Sequence, residues 1–339
     1  MNPNGAIPRL ANIRLHPIKA LDPIYVKEAR IGPNGGLELD RAWALYSADG
    51  RWVNGKRTPA MHLIRAAYAP DLSSVTLSIP DDRRKIPVMT FAFPGDTEGA
   101  ALWFSTYFEQ VIVVHHAREG FPDDGLAPGP TIVSTPSLAE VCNWFPGLTL
   151  DEARRRFRTT LEIDGAASSQ EWLAASAAAA SGEPAPAASR ASVGLGGAAA
   201  LDAADAHGLL AFWEDRLFAA SDANVVRFRI GDVAFEGSNP CARSPVPSRD
   251  SFTGATDATF QKRFSEQRHA KLPSWSPAER FDHFYKLATN TRVPSTEHGK
   301  LLRAQRTRLG QDRIGDADLA DVMQQSGQTH ARDVGGRQS

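Results

Sequence analysis

Five short runs in the first 95 residues, LANIRLHPIK, IYVKEARI, RAWALYS, VTLSI and PVMTFAF, are rich in Val, Ile and aromatic side chains. Turn-forming clusters such as GPNGG and SADG separate them. Branched and aromatic side chains pack well on a pleated surface, whereas Gly, Asn and Asp tolerate the backbone reversals between strands. Regular short strands of this kind restrict the N-terminal part to an antiparallel barrel or sandwich. The pattern then becomes mixed. WFSTYFEQVIVVHH predicts a helix running into a strand, and PSLAEVCNWF a helix with Pro136 near its start. RRRFRTTLEIDG predicts a strand after a basic helix end, and VVRFRIGDVAFEG a pair of strands about a Gly-Asp turn. TFQKRFSEQRH and SPAERFDHFYKLA read as helices, the second with Ser276 as N-cap and Pro277 at the first helical position.

Composition narrows the function classes. A chain of 339 residues with 42% hydrophobic and 23% charged content suits a soluble protein of two domains. A net charge of −1 supplies no basic field for nucleic acid, and no apolar run reaches the length of a membrane span. Two cysteines, Cys142 and Cys241, are too few for a disulfide framework or a four-thiolate iron–sulfur cluster. The opening MNPNGAIPRL lacks a signal-peptide pattern, so the expected location is the cytoplasm. Residues 166–210 are dominated by Ala, Ser, Gly and Pro and read as a mobile insertion, because so few large apolar side chains cannot offset the entropy of ordering. Gly194, Gly196 and Ala199 fit G-x-G-x-x-A there, but without the flanking strand and helix that a dinucleotide site needs. The polar tail, 311–339, is expected to be disordered.

LHPIKAL, GGLELDRAWAL and KRTPAMHLI resemble the N-terminal β-barrel domain of MOSC proteins. IVSTPSL, RFRTTLEIDG, FWEDRLF and NPCARSPVPSRDSFTG resemble the MOSC domain, which includes amidoxime-reducing molybdoenzymes and the C-terminal domain of molybdenum-cofactor sulfurases. The resemblance implies a mixed, β-rich fold: an N-terminal barrel domain over 8–125 and a MOSC β-barrel domain with flanking helices over 126–310. It also implies a molybdenum cofactor (molybdopterin) between the two domains and, in the reductase branch, removal of oxygen from N-hydroxylated small molecules. Electrons would come from a separate reductase or ferredoxin-like donor, since the chain has neither an intrinsic flavin fingerprint nor iron–sulfur cysteines. Pyridoxal phosphate is not expected, because in the sulfurases it belongs to a separate aminotransferase-like domain. The competing readings are a non-catalytic cofactor or sulfur carrier and a degenerate member kept for a partner surface.

Lys19, Arg41, Arg57, Arg158 and Arg243 stand at strand ends or loops beside Gly, Pro or Thr. Converging, they would clamp a phosphate-bearing ligand through charge-assisted hydrogen bonds, with Ser134, Thr135 and Thr160 adding hydroxyls. Two positions depart from the family: Lys19-Ala20 replaces Lys-Ser, and Arg158-Thr159-Thr160 replaces Arg-x-Asn. Counting back from Thr253-Gly254 aligns Arg243-Ser244 with the family's metal-binding Arg-Cys pair and Asp250 with its Asp. Cys241 lies three residues early, about 10 Å along an extended chain. Thiolate is a soft, readily ionised ligand, whereas serine binds only a strongly Lewis-acidic metal. Three readings stand: Ser244 ligates molybdenum, Cys241 does so after a sharp backbone reversal, or no side chain does. Asp250 is a candidate proton relay or a turn-shaping residue. Cys142 and His283 read as structural, and the adjacent His115 and His116 as a poor metal pair.

Overall fold

The computed structural model describes residues 9–80, 84–164, 193–196 and 210–304, the third of these as backbone strand. Sixteen strands and four α-helices among the described residues make the chain β-rich with some helices. Strands β1 (Arg9–Leu15), β2 (Ile24–Val26), β10 (Ile132–Ser134), β11 (Leu161–Asp164), β12 (Val193–Gly196), β13 (Val226–Ile230), β14 (Val233–Ala242) and β15 (Lys286–Arg292) form one sheet. Its order is β12-β13-β14-β15-β10-β11-β1-β2. Only β10 and β11 run parallel; the other neighbours are antiparallel.

Smaller sheets hold the rest. β4 (Trp43–Ser47) lies between β5 (Trp52–Val53) and β9 (Ile112–His116), while β7 (Ser74–Ser78) lies between β6 (Arg65–Tyr68) and β8 (Met89–Ala92). β3 (Glu28–Arg30) pairs with β16 (Leu301–Arg303). Strand pairing among the described residues closes no barrel. The strands are short, and isolated bridges such as Ile18–Trp43 replace continuous ladders where elements meet. A core of Ile18, Trp43, Leu77, Phe91, Trp103 and Phe104, all at most 3% exposed, joins the two three-stranded sheets to helix α1 (Thr97–Phe108). A second core under the large sheet combines Leu10 and Ile13 of β1 with Ile132, Leu161 and Phe235.

Helix starts follow capping chemistry. Asp96 accepts the Gly99 amide at the head of α1, and Thr149 accepts that of Glu152 at the head of α3 (Leu150–Phe157). Helix α2 (Thr135–Trp144) carries Pro136 in its first turn, as expected, and Cys142 packs against its core. Helix α4 spans Phe260–Ala270.

The second C-terminal helix does not form. Only Ala278–Arg280 makes a single 3-10 turn, and Lys286–Arg292 becomes β15 in the middle of the sheet. Six of its seven residues are buried, so pairing on both edges outweighs the local helical pattern. The Ser276 hydroxyl donates to Asp215 instead of capping a helix. The insertion lies outside the described residues except at 193–196, where Gly194 and Gly196 are themselves strand residues, paired with Arg229 and Arg227. The tail beyond 304 also lies outside them. No helix among the described residues is long and apolar enough to cross a membrane.

Candidate functional site

A cavity of about 420 Å³ opens where the ends of several elements meet. Lys19, Arg41, Arg158, Thr160, Cys241, Arg243 and Ser244 all line it, so residues spread across more than 220 positions converge on one space.

Backbone geometry aims the cations. Lys19 follows the Ile18–Trp43 bridge and its amide donates to the Trp43 carbonyl at 2.7 Å. Arg41 donates its amide to His16 at 2.9 Å and adopts a left-handed φ of 54°. Arg158 ends α3 as a left-handed cap with φ 53°. Ala20, beside Lys19, is also left-handed at φ 76°. Such conformations cost a non-glycine residue roughly 1–2 kcal/mol and persist only where packing imposes them. In β14 and β15 the pairing slips between Pro240 and Ala242, opposite the left-handed Ala288. This irregularity turns the strand end toward the cavity, so Cys241 and Ser244 both reach it despite their odd spacing.

The electrostatics are unevenly balanced. Lys19 Nζ donates to the Phe121 carbonyl at 2.7 Å and pairs with Asp123 at 3.0 Å. Lys56 approaches the same carboxylate at 3.4 Å and Arg41 Nε at 3.9 Å. Burial raises the Asp123 pKa, but the charges of Lys19, Arg41 and Lys56 outweigh it and hold the carboxyl below the usual range. Burial lowers Lys19 more than Asp123 restores it. Arg41 pairs with Asp40 and donates to the Arg158 carbonyl at 3.1 Å and to Thr160 Oγ1 at 3.5 Å. Burial opposes its charge, but Asp40 and Asp123 raise its pKa overall.

Arg158 differs. Among the described residues its guanidinium forms no ion pair, and burial together with the Arg41 charge pulls its pKa down to about 10. A cation destabilised by burial and by another cation is poised to take an anionic partner. His16, fully buried beside it, is pulled down to about 3 by burial and by Arg158, with Asp40 opposing in part.

The Cys241 sulfur receives Arg243 Nη1 at 3.0 Å, and Arg243 also donates to the Phe157 carbonyl. Ser244 Oγ accepts the Val246 amide at 3.3 Å, leaving the hydroxyl proton free to be donated or lost. Among the described residues no group of three or more His, Cys, Asp or Glu could hold a metal ion.

The remaining expected residues lie elsewhere. Arg57 is exposed and outside the lining, while its neighbour Lys56 faces the cavity. Ser134 caps α2 and donates to Glu214 Oε2 at 2.8 Å; Thr135 donates to Glu162 Oε1 at 2.8 Å. Asp250 Oδ1 accepts the amides of Phe252 and Thr253 at 3.0 and 2.8 Å, while Oδ2 meets Arg156 at 3.2 Å. Burial raises the Asp250 pKa, but these hydrogen bonds, Thr253 foremost, hold it below the usual range. It shapes the turn and steadies Arg156, itself a lining residue. Asp40, Asp123 and Lys56 were not legible as site residues. The Pro-Asp-Asp run at 122–124 signals only a turn.

Residues 7–110 match the family model of the MOSC N-terminal beta barrel domain. Lys19, Arg41 and Arg57 fall within the match, and Arg158, Cys241, Arg243 and Ser244 beyond it. No curated protein matches the chain.

Proposed function

From the premise that this is a MOSC domain protein, carrying its N-terminal beta barrel domain over residues 7–110, we propose that the large cavity binds a molybdopterin-type cofactor. The proposed activity is oxidoreduction of N-hydroxylated or related small molecules with electrons from a separate donor. The observation that carries the reading is the convergence of Lys19, Arg41, Arg158 and Arg243 with Cys241 and Ser244 on one cavity.

The residues fit the group. Lys19, Arg41 and Arg158 would hold its phosphate, Arg158 being the one of the three that forms no ion pair among the described residues. Thr160 would offer one hydroxyl where the family has an amide pair. Ser244 or Cys241 would supply the protein's ligand to molybdenum. Held there, such a cofactor would supply two-electron oxygen-transfer chemistry, with electrons from the separate donor. Arg243 would hold the Cys241 sulfur in place through the 3.0 Å contact. The large second domain, read as a MOSC β-barrel, belongs to this proposal.

A second reading, a cofactor or sulfur carrier without turnover, is favoured by one observation. The position aligned with the family's metal-binding cysteine holds Ser244, engaged by the Val246 amide at 3.3 Å.

The test is metal and pterin analysis of the protein from a molybdenum-replete host, beside Ser244→Ala and Cys241→Ala. Stoichiometric pterin and molybdenum are expected, with Ser244→Ala keeping pterin and losing metal. Loss of metal only in Cys241→Ala moves the ligand role to the cysteine. Pterin without metal in the wild type favours the carrier, and absence of both overturns the cofactor reading. A reductase assay with an added electron donor then separates enzyme from carrier.

A further inference from the structure

Two of the cavity's cations present to it N–H groups that already face a carboxylate. Lys19 and Arg41 are sunk in the wall, each side chain only 14% exposed. Lys19 Nζ has three N–H groups to give. One meets the Phe121 carbonyl at 2.7 Å and another Asp123 Oδ1 at 3.0 Å. Arg41 commits Nη1 to Asp40 and Thr160 and Nη2 to the Arg158 carbonyl. Its remaining edge, Nε, faces Asp123 Oδ2 at 3.9 Å. Lys56 meets the same Oδ1 as Lys19, at 3.4 Å. Among the described residues Asp123 is the one carboxylate at ion-pair distance from either lysine.

The carboxylate itself lies on the solvent side. Its side chain is 55% exposed, and among the described residues neither Pro122 nor Asp123 has a backbone hydrogen bond. Phe121 before them is tied by its amide to the Arg41 carbonyl at 2.9 Å, and the Asp124 side chain after them to Asn290 at 3.2 Å. Between those anchors the polar contacts to the cavity are those of the Asp123 side chain. Burying a cation without an anion is costly, and Asp123 offsets that cost from a surface turn. A phosphate group drawn to Lys19 and Arg41 needs the N–H groups that Asp123 engages. Two anions crowded onto one cation repel each other, so one of them must leave. The half-exposed carboxylate, held by side-chain contacts alone, is the one free to go.

We propose that Asp123 competes with a phosphate-bearing ligand for Lys19, Arg41 and Lys56, so that displacement of this carboxylate sets the affinity of the cavity. The proposal rests on the reading that the cavity takes such a ligand and adds the contact that regulates its binding. Inorganic phosphate, titrated calorimetrically into the full chain from a host unable to make the pterin, tests it. Asp123→Asn should bind phosphate about tenfold or more tighter than the wild type, the usual worth of a charge-assisted hydrogen bond that no longer has to be broken. Glu119→Gln removes another carboxylate from the cavity lining, one without a cationic partner among the described residues, and should stay within about threefold. Asp123→Glu, which keeps the charge, should likewise show no such gain. Adding Lys19→Gln to Asp123→Asn should abolish the gain. Unchanged or weaker binding in Asp123→Asn, the same gain in Glu119→Gln or Asp123→Glu, or a gain that survives Lys19→Gln would overturn the proposal. Phosphate binding in none of the variants would do the same. Should Asp123→Asn not fold, Asp123→Ala also removes the carboxylate and should show the same tightening, and wild-type affinity there is equally fatal. Pterin and metal analysis keeps the two proposals apart. Tightened phosphate binding sustains this one in a protein that takes up no cofactor, and stoichiometric cofactor beside unchanged phosphate affinity in Asp123→Asn sinks this one alone.

Discussion

At the scale of single residues, two of the cavity's cations, and the alanine beside a third, are held by backbone that a side chain disfavours. Arg41, Arg158 and Ala20 all occupy the left-handed region, where a β-carbon crowds the carbonyl and glycine alone is at ease. Ala20 isolates the cost, since its side chain carries no charge to the site. Ala20→Gly should raise the free energy of unfolding in urea by roughly 1 kcal/mol, seen as a higher midpoint at unchanged m-value. A lower midpoint would mean that the Ala20 methyl contributes more by packing than its conformation costs. The basic residues and the Cys241–Ser244 spacing were legible in the chain. Lys56 and Asp123 were not, because their role comes from three cations meeting one carboxylate across a fold, and local sequence carries no trace of that meeting.

Among elements, the turn Trp213–Leu217 shows how a motif taken for family resemblance also serves structure. Its Glu214 is fully buried, and its Oε2 accepts the Ser134 and Ser137 hydroxyls at 2.8 and 2.7 Å. Burial, aided by the charge of Asp215, pushes its pKa up to about 7. The folded state therefore holds a proton that the unfolded chain releases near pH 4.5. Stability from this group is complete below that pH and declines as pH rises toward 7. Glu214→Gln, which cannot ionise, should match the wild type near pH 4 and exceed it at pH 8, by at most about 3 kcal/mol. Denaturant melts at both pH values measure this, and an equal difference at the two would refute it. Ser134 and Thr135 thus act on α2 and its neighbours, a role that their hydroxyls alone did not distinguish from ligand contact. The misread stretch SPAERFDHFYKLA shows the opposite limit. Its local pattern favours a helix, yet partners on both sides draw Lys286–Arg292 into the sheet.

In the molecule as a whole, the N-terminal strand crosses the boundary that the two expected domain ranges imply. β1 pairs with β11 from Arg9–Asp164 to Ile13–Leu161, and Leu302 of β16 pairs with Ala29 of β3. Leu10 and Ile13, both fully buried, belong to the core of the large sheet. Residues 126–339 expressed alone would leave β11 with an open edge and this core without one wall. Such a fragment should show no cooperative thermal transition by circular dichroism, whereas a sharp transition would establish an independent C-terminal domain. By itself the sequence determined the β-rich class, most strands, the starting regions of two of the four helices and the cations from which a site could be built. These follow from propensity, capping and charge, which act over a few residues. Tertiary structure alone decided the central place of β15, the turn of Cys241 and Ser244 into one cavity, and the meeting of three cations on Asp123. Those depend on pairings between residues far apart in the chain, whose free energy appears only once both partners have been brought together.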